Sequence, residues 1–62
     1  MENKELFLKK IGENIKEIRK SRKQEVKFAA SGIGISVQAM GAIENGKVDL
    51  NISRLFEIAR FF

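Results

Sequence analysis

Four serines, two neighbouring glutamates and a pair of glycines are the residues here whose types could support catalysis, and none has the neighbours that catalysis requires. Ser21, Ser31, Ser36 and Ser53 lack an activating histidine, because the sequence contains none, and no motif sets a lysine beside them as a base. Glu13 and Glu17 lie one helical turn apart with Lys16 and Lys20 nearby, the pattern of a solvated helix face. Gly32-Ile33-Gly34 begins like a phosphate-cradling loop, but the third glycine of that motif would fall on Val37 and no GK[ST] follows. A turn between two helices accounts for these glycines better. With neither Cys nor His, the usual ligands of zinc, haem and iron–sulfur clusters are missing. The expectation is a protein that is not an enzyme and takes no metal and no cofactor.

The spacing with structural content lies between residues 26 and 45. Ala30, Gly34, Met40 and Ile43 follow one another at offsets of four, six and three. Two helices that cross steeply over a tight turn need a small residue where their backbones approach and a turn residue tolerant of positive φ. They also need apolar knobs from the second helix. Ala30, Gly34 and the pair Met40 and Ile43 supply these in order. This predicts a helix-turn-helix over about 26–45. If Met40 and Ile43 face inward, Gln38, Gly41, Ala42 and Asn45 face outward.

The elements around that unit are expected to be helical throughout, because the sequence has no proline and long runs of good helix formers. Leu8, Ile11, Ile15 and Ile18 recur at three- and four-residue intervals. They predict an amphipathic first helix from about residue 5 to 21, with Lys9, Lys10, Lys16 and Lys20 on its other faces. A short second helix should run from about Val26 to Ser31, with Ala29, Ala30 and Ile33 inward, and break at Gly32 and Gly34. Ser36 should cap a third helix over about 36–45 that ends at Asn45-Gly46. After a loop from Lys47 to Leu50, Asn51 caps a fourth helix. That helix turns Ile52, Leu55, Ile58, Ala59 and Phe62 to the core and leaves Phe56 and Phe61 off the stripe. With no linker, repeat or low-complexity segment in 62 residues, one all-α domain over 1–62 is expected.

Twelve Lys and Arg against eight Asp and Glu give a net charge of +4 and a sequence pI near 9.8, which points to an anionic partner. The charge is uneven: residues 1–31 carry nine cations and five acids, and residues 32–62 carry three of each. No window approaches the ~20 apolar residues of a membrane span. Charge flanks the short apolar patch in MENKELFLKK, unlike a signal peptide. A cytoplasmic, nucleoid-associated protein with no membrane partner is expected.

Ile11-Gly-Glu-Asn-Ile15, Ile18-Arg-Lys20, Gly34-Ile-Ser36, Ile43-Glu-Asn-Gly-Lys47 and Leu55-Phe-Glu-Ile-Ala59 follow in order without gaps. Over about residues 11–62 they resemble the lambda-repressor/Cro-type helix-turn-helix family of bacterial and phage regulators. The stretch from Ile43 to Lys47 is the most telling. The resemblance implies a small bundle of four to five helices that binds double-stranded DNA, with the recognition helix in the major groove. It implies a transcriptional regulator, most simply a repressor. By position it places Ser36, Asn45 and Lys47 on phosphates and Val37, Gln38 and Ala42 on bases. Arg19 then pairs with Glu44 to hold the recognition helix. Gly41, which costs a helix interior roughly 1 kcal/mol relative to alanine, reads either as a close approach of the backbone to DNA or as simple tolerance.

Four positions depart from the family pattern, the small Ala29 standing where helix 2 usually has a large inner residue. Val26 stands where a phosphate-binding glutamine is common, and Lys23 where a glycine usually joins helices 1 and 2. Phe28 stands at a normally polar position, where it either fills the space left by the small Ala29 or marks a slight rotation of helix 2. No Arg or Lys faces outward from the recognition helix. Readout therefore rests on Gln38, whose amide suits adenine, and on Val37 or Ala42 against thymine methyls. A fifth helix usually covers helix 4 in the family. Here Phe56 and Phe61 are expected to be covered by a second subunit, giving a homodimer suited to a palindromic operator. The rival covers are Leu6 and Phe7 of helix 1, or sequence beyond this chain. The alternative function is a protein–protein adaptor of the same fold, such as an antitoxin bound to its toxin.

Overall fold

The computed structural model describes residues 3–62 and contains four helices and no strands among them: α1 (Lys4–Ser21), α2 (Val26–Ile33), α3 (Val37–Glu44) and α4 (Ile52–Phe61). Residues 1 and 2 of the expected domain lie outside the described part. Three helix starts are set by local side-chain acceptors. Asn3 Oδ1 accepts from the Leu6 N–H (3.2 Å), Ser36 Oγ from Ala39 (3.0 Å) and Asn51 Oδ1 from Arg54 (2.7 Å). Each satisfies an N–H that the first helical turn leaves without a partner.

α2 and α3 form the crossed pair, their axes bent by 103° about the turn between them. Ala29, Ala30 and Met40 are buried at their contact, and Gly34 ends α2 at φ +92. α2 is longer than expected. It runs through Gly32 to Ile33, because Gly32 is not a break but a seat: a β-carbon there would collide with the Phe61 ring. Phe28 does not fill a space beside Ala29. It stands 60% exposed on the outside of α2, its ring 5.9 Å from that of Phe61.

The core consists of Ile15, Ala29, Ala30, Met40, Ile43 and Ile58, with Ile11, Val26, Ile33, Ile35, Leu50, Phe61 and Phe62 packed around it. α1 lies against α3, and α4 against α2. The inward face of α1 is Gly12, Ile15 and Arg19, so Ile18 falls at its rim and is exposed. The α1 backbone approaches the end of α3 tightly at Gly12, and at Lys9 it lies as close to Gly46 just beyond it.

The inward face of α4 also differs from expectation. Ile58 is buried and Leu55 and Phe62 are half-buried, but Ile52 and Ala59 face solvent. Phe61 packs inward over Gly32, edge-on to Phe62 at 4.9 Å. Phe56 is exposed, with the Arg60 guanidinium 5.8 Å above its ring. Leu6 and Phe7 project from the start of α1 and are themselves exposed, so they do not cover α4.

Candidate nucleic-acid interface

α3 turns Met40, Ile43 and Glu44 into the domain and presents the opposite side to solvent. Ser36, Val37, Gln38, Asn45 and Lys47 are exposed, while Gly41 and Ala42 are half-buried along the same side. A β-carbon at Gly41 would meet no atom within 4 Å, so this glycine leaves open space rather than a contact. The Ser36 hydroxyl accepts from Ala39 and still has its own hydrogen to donate, so a cap and a phosphate contact are compatible in one side chain. No charged side chain stands on the outer face of α3; the nearest cation beyond its end is Lys47.

The helix is held from behind by an ion pair. Arg19 Nε donates to Glu44 Oε2 (2.7 Å) and Nη2 to Oε1 (3.2 Å), with both side chains buried. Nη1 donates to the Gln24 carbonyl (2.8 Å). The guanidinium thus joins α1, the α1–α2 turn and the last residue of α3. The hydrogen bond to Glu44 holds the Arg19 pKa above its ordinary value, against the opposing effect of burial, and the carboxylate charge adds to it. Arg19 is therefore a permanent cation, and a two-pronged contact to a carboxylate orients as well as attracts.

A helix-turn-helix family model of the Cro/C1 type matches residues 15–62, more than half of the chain. The chain belongs to the Cro/C1-type helix-turn-helix family. No curated protein and no solved structure matches it. This helix-turn-helix domain is a DNA-binding module of the kind that regulates transcription. Among the described residues no group of three or more His, Cys, Asp or Glu is placed to hold a metal ion. No single described helix is long and apolar enough to cross a membrane.

Ser36, Val37, Gln38, Asn45 and Lys47 are thus exposed and Gly41 and Ala42 half-buried, while Ala30, Met40 and Ile43 lie in the core and Gly34 at the turn; Asn45 and Lys47 also border a hollow with Lys4, Glu5, Leu8 and Lys9 of α1. Three supporting residues carry roles that the sequence reading did not assign. Gly12 admits the backbone of α3, Gly32 seats Phe61, and Gln24 offers the carbonyl that takes the third Arg19 hydrogen bond. A signal for Gly12 was present, since it sits inside the run from Ile11 to Ile15. Gly32 and Gln24 carry no local signal, because their partners lie in distant elements.

Proposed function

We propose that the domain is a transcriptional repressor that inserts α3 into the major groove of a palindromic operator. The observation that carries this reading is the anchored, uncharged outer face of α3. Gln38 would read adenine through its amide, and Val37 and Ala42 would touch thymine methyls. Gly41 would let the helix backbone come close to the bases. Ser36, Asn45 and Lys47 would hold phosphates on either side, and the Arg19–Glu44 pair would keep the helix at a fixed angle to the body. A homodimer is part of the reading. The exposed Ile52 and Phe56 on α4 would pack against a second copy, so that two recognition helices meet half-sites about 34 Å apart. Such a regulator works in the cytoplasm, on the nucleoid.

Selection of bound sequences from a random duplex pool tests the proposal. Enrichment of an inverted-repeat motif is expected. The second reading, an adaptor such as an antitoxin that binds its toxin, draws on the exposed Leu6 and Phe7 at the start of α1. It predicts no enrichment, even at low salt.

A further inference from the structure

The turn between α1 and α2 contains a residue that its backbone geometry disfavours. Arg22 caps α1 and Lys23 takes φ +57. The turn closes with the Lys23 N–H on the Lys20 carbonyl (2.9 Å) and the Gln24 N–H on the Arg19 carbonyl (3.0 Å). α3 ends with the same pattern, Gly46 donating to Ile43 and Lys47 to Ala42, and there the left-handed position is a glycine at φ +70. Glycine is the ordinary occupant of this motif, because a β-carbon is crowded in the left-handed region. A bulkier residue there directs attention to its side chain.

That side chain is an exposed cation with no ion pair among the described residues. Lys27 borders the same shallow hollow, together with Gln24, Glu25, Phe28 and Ser31. From residue 20 to 27 the corner carries Lys20, Arg22, Lys23 and Lys27 against a single acid, Glu25. Its place relative to α3 is fixed by Arg19, which reaches the Gln24 carbonyl with one nitrogen and the Glu44 carboxylate with the other two. The residue after Lys23 and the last residue of α3 are thus one guanidinium apart. Among the phosphate contacts assigned above, Ser36, Asn45 and Lys47, there is one cation.

We propose that Lys23, with Lys27 beside it, is a second phosphate grip that holds the DNA backbone at the α1–α2 corner while α3 lies in the groove. The proposal rests on the DNA-binding reading. In that docking the helix before the recognition helix crosses the backbone, which brings the start of α2 and the turn before it beside the phosphates. Val26, the first residue of α2, has no polar side chain to offer there. A lysine ammonium on its flexible stem supplies the charge instead.

The test compares the wild type, Lys23→Gly and Lys23→Gln on a duplex selected from the random pool and on an unrelated duplex, at several salt concentrations, with thermal melting alongside. Lys23→Gly is expected to melt no lower than the wild type. It should bind both duplexes about five- to tenfold more weakly at ~0.1 M salt, with the log–log salt slope reduced by about one per subunit. Lys23→Gln, which keeps the disfavoured backbone and loses the charge, should bind as weakly as the glycine variant. Equal affinities and slopes for all three proteins, with the wild type still preferring its selected duplex, overturn the phosphate role and leave the DNA-binding reading standing. A wild type that binds no duplex at low salt overturns both.

Discussion

Gly12 of α1 and Glu44 of α3 meet backbone to backbone: a β-carbon on Gly12 would stand 2.6 Å from the Glu44 carbonyl oxygen, and the Ile43 carbonyl is also in its way. A backbone oxygen cannot swing aside as a side-chain tip can, so any added carbon must push the helices apart. Gly12→Ala should therefore cost about 2–3 kcal/mol, although alanine is the better helix former. That is a large share of the roughly 3–9 kcal/mol expected for so short a chain. Urea unfolding followed by circular dichroism reads the cost, and an unchanged midpoint would contradict the close approach.

The Arg19–Glu44 pair should behave as a buried unit. Arg19→Ala or Glu44→Ala leaves a buried charge without its partner and should cost about 3–5 kcal/mol. The exposed Lys4–Asp49 pair, 3.1 Å apart, provides the internal comparison. Its coupling should stay within the ~0–1 kcal/mol typical of solvated pairs. Double-mutant cycles on both pairs check the contrast, and similar couplings would reduce Arg19 and Glu44 to ordinary surface charges.

Gly41 separates folding from binding. Because a β-carbon there meets nothing, Gly41→Ala should raise stability by about 1 kcal/mol through helix propensity alone. If the bare backbone is there to approach bases, the same variant should bind the selected operator more weakly. A stabilised protein with undiminished affinity would mean that this glycine is merely tolerated.

Gln38 and Lys47 should fail in different ways. Gln38→Ala should lose ~1–3 kcal/mol of discrimination at one or two base pairs and keep its non-specific affinity. Lys47→Ala should weaken binding to every sequence and flatten the log–log salt slope by about one. Titrations against matched and mismatched duplexes distinguish the two patterns. An unchanged base preference in the Gln38 variant removes that residue from the readout.

Phe56 and Phe61 are expected to separate in the same fashion. Phe61 is packed over Gly32, so Phe61→Ser should lower stability by about 1.5–3 kcal/mol. Phe56 is exposed, so Phe56→Ser should leave folding nearly intact and shift a dimer towards monomer. Sedimentation at micromolar concentration follows the mass. A wild type already monomeric there would remove α4 as a dimer contact.

Which parts of this fold could be read from the sequence depends on how far each residue's partner lies along the chain. Ser36 and Asn51 are legible as caps, because each acts on an N–H three residues ahead. The outward direction of Gln38 and Asn45 follows from helical geometry once Met40 and Ile43 are taken as inward. The inward faces of α1 and α4 are less legible. Periodicity counts apolar types, and it therefore favours Ile18 and Ile52, which the structure leaves exposed. What decides those faces is where a glycine admits a neighbour: Gly12 the α3 backbone, and Gly32 the Phe61 ring. Composition likewise gives no hint that Arg19 is buried, since arginine usually marks solvent. Family resemblance suggested its pairing with Glu44, but not the bond to Gln24.

Among the described residues Met40 is the one large side chain with no solvent exposure at all, and that gives the domain a built-in chemical clock. A thioether reacts with peroxide only when the oxidant can reach the sulfur, and no small motion of a helix end uncovers one at the centre of so small a core. Conversion of Met40 to its sulfoxide should thus track opening of the whole domain rather than fraying. A polar sulfoxide cannot easily return to the apolar position, so each opening caught by oxidant is retained as a misfolded molecule. Any ligand that binds the closed domain slows the clock in proportion to its occupancy, so the oxidation rate read at Met40, separately from Met1, measures binding without a label.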